Sequence, residues 1–217
     1  MQKFDLFVPF GSVCITSWNL RKNGLQTESM PYDWIGPMNL DLTVTFLENG
    51  FSGLIEKDKL KFIGTKDHEV HYEMPNGVTF QHDFTKKSME EFPKVEVKYQ
   101  RRIKRLYEKL AAARSVMFVH FDEIMPQTAD LEKAVSRLKK LYPSKRLKLL
   151  YVVMSGDIKG WEVKADNDSY ELVVLEHDKD GNWVGNMPLI SEILAPYGLT
   201  LKARLANWWG SLRHKAK

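Results

Sequence analysis

The sequence has little cysteine: Cys14 stands alone among 217 residues. One cysteine cannot close an internal disulfide, and it cannot supply the thiolates of a zinc cluster. A chain of this kind fits a reducing compartment, so we expect a cytoplasmic protein. The thiol of Cys14 is also a candidate nucleophile.

Long apolar runs and a strong charge excess are lacking as well. No stretch approaches the roughly 18 apolar residues that cross a bilayer, and the N-terminus reaches charged residues at once, unlike a signal peptide. The net charge is +4, with the basic residues dispersed beside glutamates. This balance argues against a nucleic-acid partner, whose binding surface gathers basic residues on one face. The length predicts a single domain over residues 1–217.

Three runs are apolar at nearly every position: Phe4–Phe10, Ser115–Phe121 and Leu147–Met154. Continuous apolar runs are typical of strands that are covered on both faces. Amphipathic helical patterns lie between them, at Met89–Ala113 and Thr128–Leu141. This alternation predicts a three-layer α/β domain with a mainly parallel central sheet, in which the three runs are adjacent strands.

Other segments predict additions to this sheet. An Asn-Gly turn between two β-rich stretches predicts a hairpin that projects from the sheet or caps it. Two later stretches predict antiparallel edge strands, and a final helix follows them. The segments are Glu69–Tyr72 and Val78–Phe80 for the hairpin, Trp161–Lys164 and Glu171–Leu175 for the edge strands, and Pro188–Leu194 for the helix.

Cys14 follows a glycine turn at the end of the first apolar run and precedes a helix predicted over Ile15–Asn23. The N-terminus of a helix presents N–H groups and the positive end of the dipole, which would lower a thiol pKa and stabilise an oxyanion. We therefore predict Cys14 as a nucleophile, with Gly11 and Ser12 as turn and oxyanion residues. The alternative is a buried cysteine that acts as a small hydrophobe.

Five segments together resemble a known family. They are GSVC at 11–14, LRKNGL at 20–25, ESMPYDW at 28–34, FQHDF at 80–84 and KYQRRIKR at 98–105. The chain resembles a mostly bacterial family of unknown function that is described as papain-like cysteine peptidases and is often encoded near surface-polysaccharide genes. The resemblance implies a Cys/His site, and it implies a papain-like α+β fold as the alternative to the parallel sheet.

A thiol nucleophile needs a base and a group that orients the base. We predict His82 as the base, because it stands where the hairpin ends and the family motif is matched. Asp33 lies in a proline-constrained turn close to the cysteine helix and is predicted to orient the imidazole. A turn cap is the alternative role for Asp33. Trp34, next in the chain, would exclude water from the site.

Three further side chains are predicted to contact substrate. His120 ends an apolar strand, and in parallel sheets ligands gather outside the carboxyl ends of strands. Arg102 and Arg105 share one side of a helix, where two guanidinium groups can hold a phosphate or carboxylate, although a solvated face is the alternative. No metal is predicted, because His120, Asp122 and Glu123 lack the spacing of metal ligands. No cofactor is predicted either.

These patterns favour a thiol-dependent hydrolase or an acyl or group transferase with a small-molecule or saccharide substrate, phosphorylated or free. A transferase in surface-polysaccharide assembly fits a cytoplasmic chain better than a general protease does. The alternative is a non-catalytic module that binds an anionic sugar or a nucleotide. Cysteine chemistry discriminates the two, because catalysis requires an accessible cysteine of low pKa, whereas binding tolerates serine or alanine at that position.

The C-terminal tail, residues 204–217, combines two tryptophans with basic residues. We expect Leu205, Trp208 and Leu212 to pack on the domain, since they recur at helical spacing. A weak contact with an anionic membrane surface is the alternative.

Overall fold

The computed structural model describes residues 1–11, 14–66, 68–178 and 184–207. The helices are α1 (Cys14–Lys22), α2 (Leu40–Glu48), α3 (Phe92–Ala112), α4 (Thr128–Leu141) and α5 (Met187–Leu194). The strands are β1 (Gln2–Phe4), β2 (Leu6–Pro9), β3 (Ile35–Gly36), β4 (Lys61–Lys66), β5 (Glu69–Glu73), β6 (Thr79–Phe84), β7 (Ser115–Asp122), β8 (Arg146–Ser155), β9 (Trp161–Asp166), β10 (Tyr170–Glu176) and β11 (Tyr197–Leu199). These elements form a mixed α/β fold with several sheets.

The largest sheet has the strand order β2-β7-β8-β10-β9. The first four strands are parallel, and β9 runs antiparallel at the edge. Its side chains alternate between two hydrophobic clusters: Met117 and Phe121 of β7 join one, and Phe118 joins the other. Both faces are therefore buried, which explains why β2, β7 and β8 appear in the sequence as continuous apolar runs.

Two sequence predictions about this sheet are corrected. β10 is an interior strand parallel to β8, with Tyr170 opposite Leu149, rather than an antiparallel edge strand. It is buried along most of its length, as an interior parallel strand should be. The first apolar run is divided at Asp5, whose carboxylate accepts hydrogen bonds from the backbone N–H groups of Arg114 and Ser115. β1 thereby leaves the large sheet and pairs with β11.

The predicted hairpin is present as β5 and β6, within an antiparallel sheet of order β3-β6-β5-β4. Tyr72 lies opposite Phe80, and the chain turns at Gly77, whose φ is +84°. Tyr72 and Phe80 are buried in the same cluster as Phe118 of the large sheet. The antiparallel sheet therefore packs on one side of the molecule's core and brings its strands close to the end of β2.

Of the helices, α4 has the predicted bounds and α2 was not predicted. Asn39 caps α2 by accepting a hydrogen bond from the backbone N–H of Leu42. Arg137 of α4 donates hydrogen bonds to Asp41 and Thr45 of α2. These contacts stabilise a segment whose own sequence is a weak helix former.

No helix in the described part of the chain is both long enough and apolar enough to cross a membrane. Residues 201–207 are helical, and Leu205 is 49% exposed, so the prediction that it packs on the domain is wrong. Half-buried Ala203 and exposed Ala206 line an open pocket on this side of the helix instead. Trp208 and Leu212 lie outside the described residues.

Candidate active site

Cys14 is the first residue of α1, the element that follows β2 in the chain. Its Sγ atom lies 3.6 Å from Nε2 of His82. The cysteine is only partly buried. Since 68 residues separate the two side chains along the chain, this contact is made by tertiary structure. Helix α1, which follows the parallel sheet, supplies the sulfur, and β6 of the antiparallel sheet supplies the imidazole.

A carboxylate completes the arrangement on the far side of the ring. Nδ1 of His82 lies 2.7 Å from Oε2 of Glu69. The carboxylate can only accept, so Nδ1 carries the proton and Nε2 presents its lone pair to the sulfur. The ring of Trp34 meets that of His82 edge-on, with centroids 5.9 Å apart. In space, the site is thus a line of contacts from Cys14 to His82 to Glu69, with the ring of Trp34 beside the imidazole.

Asp33 does not have the predicted orienting role. Its carboxylate accepts hydrogen bonds from Nη2 of Arg21 and, at 3.0 Å, from Nε2 of Gln26. Its backbone carbonyl accepts a hydrogen bond from Oγ of Ser17 in α1. Asp33 is completely buried. It therefore fixes the 26–33 loop against α1, while the carboxylate that contacts His82 belongs to Glu69.

An irregularity in the β5–β6 pair explains why Glu69 was missed. Val70 pairs with Phe84 and Tyr72 pairs with Phe80, so β6 holds two extra residues between these positions. Strict alternation would place His82 on the same buried face as Phe80 and Phe84. The bulge turns His82 outward instead, where Glu69 can reach it. Bulges near sites redirect side chains in this way.

The pKa of the Cys14 thiol is raised to about 11, first of all by burial, although the backbone N–H of Cys14 itself acts to lower it. The negative charges of Asp33, Glu69 and Asp83 raise it further. The sequence-based expectation of a lowered pKa is therefore wrong. Desolvation and three carboxylates outweigh the backbone N–H of Cys14, so the thiol is protonated at neutral pH.

Gly11 shapes the turn that precedes the nucleophile. Its φ is +106°, and a Cβ atom there would lie 2.7 Å from Oγ1 of Thr43 and 3.1 Å from the ring of His120. The position therefore excludes side chains. Ser12, predicted with it as an oxyanion residue, lies outside the described residues, and its role stays a prediction.

His120 is buried rather than placed to contact substrate. Its exposed fraction is 0%. Nδ1 lies 2.5 Å from the carbonyl oxygen of Phe10, and the ring stacks on Tyr151 with centroids 4.7 Å apart. The ring packs against the backbone at Phe10 and Gly11, so the predicted substrate contact is corrected to a structural role.

The two predicted anion-binding arginines have different surroundings. Nη1 of Arg105 donates to the carbonyl oxygen of Ser29 at 2.7 Å, and its Nε lies 3.3 Å from Glu28. The guanidinium of Arg105 is therefore already paired with groups of this chain, and the prediction that Arg102 and Arg105 together hold an anion is wrong. Arg102 is buried, with its guanidinium 5.3 Å from the ring centroid of Tyr99.

Metal ligands are a separate question. In the described ranges, no group of three or more histidine, cysteine, aspartate or glutamate side chains is arranged to hold a metal ion.

Comparisons with known proteins agree with a thiol site. The profile of a family described as "Putative papain-like cysteine peptidase" matches residues 5–155. A curated relative, the uncharacterized protein R408 of Acanthamoeba polyphaga mimivirus, is 28% identical over 152 residues, which cover 61% of this chain and 68% of the relative. No solved structure gives a significant match. The matched range contains Cys14, Glu69 and His82.

Proposed function

Since the chain belongs to the family described as papain-like cysteine peptidases, we propose that it is a thiol hydrolase or acyltransferase. Cys14 is the nucleophile, His82 the general base, and Glu69 the group that orients His82. One observation carries this assignment: Nε2 of His82 lies 3.6 Å from the sulfur while Nδ1 lies 2.7 Å from the glutamate. A base that contacts the nucleophile and is itself oriented by a third group is the arrangement typical of nucleophilic catalysis.

The reaction begins with a neutral thiol. As Sγ attacks the carbonyl carbon of the substrate, its proton passes to Nε2 of His82, and Glu69 stabilises the imidazolium through Nδ1–H. Charge develops on the carbonyl oxygen near the start of α1, where the positive end of the helix dipole stabilises it. The raised thiol pKa fits this sequence of events, because the sulfur then keeps its proton until it attacks and His82 accepts the proton.

The second half returns the proton. The imidazolium protonates the leaving group as the tetrahedral intermediate collapses, which leaves an acyl group on the sulfur as a thioester. His82 then accepts a proton from the incoming water or hydroxyl acceptor, which attacks the thioester carbonyl. Collapse releases the product, and Cys14 takes its proton back from His82. Water gives a hydrolase, and a second substrate gives a transferase.

The choice of acceptor belongs to the proposal. The family resemblance suggests a saccharide acceptor, used in surface-polysaccharide assembly. We also propose that the helices and the parallel sheet form three layers. The acceptor is tested by offering the acyl-enzyme both water and a hydroxyl-bearing saccharide, and by measuring which product forms.

Alkylation of Cys14 by iodoacetamide tests the thiol site without a known substrate. We expect the wild-type rate to keep rising up to about pH 11, because the thiol titrates there, whereas an ordinary thiol levels off above about pH 9. His82→Ala should lower the rate at pH 7.5 by about 10- to 100-fold, since general-base assistance is lost. Mass spectrometry locates the adduct.

Cys14→Ser is the control for this measurement, and it should give no adduct at this position. An unchanged rate in His82→Ala would contradict the proposal. A non-catalytic module that binds an anionic sugar or nucleotide would then be the better hypothesis.

A further inference from the structure

Arg102 is a buried cation without an acceptor. The residue is 9% exposed, and its Nη1 atom is buried with no hydrogen-bond partner. Within the residues that the structure describes, its guanidinium makes no hydrogen bond or ion pair, and its contact is the ring face of Tyr99. A guanidinium stays protonated at all accessible pH values. Burial of an unpaired charge is costly, so such a group calls for an explanation.

The carboxylates nearby already have cations of their own. Asp33 pairs with Arg21, and Asp83, whose side chain is 1% exposed, pairs with Lys98. Arg102 is therefore the surplus positive charge of this buried polar cluster. Its charge acts on the Asp33 carboxyl, lowering that pKa against the larger effect of burial. Asp83 accepts a hydrogen bond from the hydroxyl of Tyr99, whose ring Arg102 contacts. Asp83 also directly follows His82 in β6, and His82 contacts Cys14, so the cluster lies beside the proposed site.

Neighbouring arginines of α3 differ from Arg102, whose buried Nη1 atom has no hydrogen-bond acceptor. Arg105 stands three positions further along α3 and has acceptors from the 28–29 segment. Exposed Arg101, the preceding residue, lies on the solvent side of the helix. The unpaired state of Arg102 thus reflects its position beside the polar cluster rather than the composition of α3.

We propose that Arg102 binds an oxyanion, a carboxylate or a phosphate, carried by the acyl substrate of Cys14. The substrate class is then an anionic acyl compound. A planar guanidinium suits this task, because its N–H groups can donate two parallel hydrogen bonds to one oxyanion. A substrate without the anion would leave Arg102 unpaired and would be rejected. This inference rests on the thiol site proposed above.

Charged alkylating reagents provide the test. Cys14 is treated with iodoacetate, 3-iodopropionate and 4-iodobutyrate, each compared with its neutral amide, and with iodoalkyl phosphonates of the same lengths. The readout is the ratio of acid rate to amide rate, which cancels any general change in thiol reactivity. At the length that reaches Arg102, we expect the wild-type ratio to exceed that of free cysteine by about 10-fold, a typical contribution of a charge-assisted hydrogen bond.

Arg102→Gln should reduce this ratio to the value of free cysteine, and Arg102→Lys should retain part of it. Arg101→Gln is the matched control, which removes the same charge from the neighbouring exposed position and should leave the ratio unchanged. The reagent family that shows the effect identifies the oxyanion as carboxylate or phosphate. Equal ratios in wild type and Arg102→Gln, with both families and at every length, would overturn the proposal.

Thermal unfolding separates binding from a structural role. Because Arg102→Gln removes an unpaired buried charge, its melting temperature should not fall below that of wild type. A marked fall would show that Arg102 supports the fold and would contradict the proposal. Failure of the thiol site itself is distinguishable, since it appears as an amide alkylation rate that does not respond to His82→Ala.

Discussion

Two carboxylates near Cys14 act on different partners. Glu69 lies 2.7 Å from the imidazole, whereas Asp33 is hydrogen-bonded to Arg21 and Gln26. Both raise the pKa of the thiol. Glu69, however, is in direct contact with the imidazole, so its negative charge favours the imidazolium more than it disfavours the thiolate. Replacing each carboxylate by its amide should therefore have opposite effects.

We expect Glu69→Gln to lower the rate of Cys14 alkylation at pH 7.5 by about 10-fold, since the imidazolium loses its counter-ion. Asp33→Asn should leave the rate equal or raise it, because removal of a nearby negative charge lowers the thiol pKa. Stopped-flow kinetics with iodoacetamide measures both. A slower rate in Asp33→Asn together with an unchanged rate in Glu69→Gln would restore Asp33 as the orienting residue.

At this scale the sequence is informative about Cys14 and His82 and silent about Glu69. A thiol after a glycine turn and a histidine at the end of a hairpin have recognisable sequence contexts, and the structure places the two side chains together. The bulge in β6 has no sequence signature here, so the face of His82 was not predictable. Asp33 after a proline looks the same whether it pairs with an arginine or with an imidazole.

Gly11, between the end of β2 and the start of α1, is held in a restricted backbone conformation three positions before the nucleophile. We expect Gly11→Ala to reduce the free energy of unfolding by about 2–4 kcal/mol, because the added methyl group meets Thr43 and His120 and the backbone has positive φ. Gly24→Ala is the matched control: its φ is +68° and no atom lies within 4 Å of the added Cβ. It should cost about 1 kcal/mol.

Urea unfolding measures the difference between these two variants. Equal losses of stability would mean that backbone strain alone, and not the packing of Thr43 and His120, fixes the turn.

Helices and strands with a clear hydrophobic pattern in the sequence were predictable, whereas elements whose structure depends on tertiary contacts were not. Apolar spacing indicated α3 and α4 correctly, and continuous apolar character indicated β7 and β8. Residues 43–46 of α2 are Thr-Val-Thr-Phe, which is typical of a strand, yet the Asn39 cap and the contacts of Arg137 make the segment a helix. The position of β10 was missed because an apolar run does not reveal which strand it pairs with.

For the whole molecule, Asp33 predicts an unusual dependence of stability on pH. Burial raises its pKa from 3.8 to about 6 despite the charge of Arg21. A carboxyl whose pKa is raised by folding contributes stability in full at pH values below its pKa in the unfolded chain. This contribution is lost as the pH rises through the folded-state pKa of about 6. The stability of wild type relative to Asp33→Asn should therefore increase by up to about 3 kcal/mol between pH 7 and pH 4.

The difference between the two proteins is the quantity to measure, by urea unfolding at each pH. Asp5, Asp41 and Glu48 have lowered pKa values and act in the opposite direction in both proteins. A relative stability that falls on acidification would show that Arg21 outweighs burial at Asp33.

The sulfur comes from α1, which follows the parallel sheet, and the imidazole comes from the antiparallel sheet; this division has a consequence for dynamics. If the antiparallel sheet opens as a cooperative unit while the parallel sheet stays folded, His82 and Glu69 leave Cys14 without global unfolding. Amide protons of β5 and β6 would then exchange with deuterium sooner than those of β7 and β8. The pH dependence of Cys14 alkylation would then shift towards that of an ordinary thiol at a lower denaturant concentration than the one that melts the parallel sheet, because opening removes both the base and the burial that raises the thiol pKa. The alkylation rate would therefore report on whether the two sheets are docked.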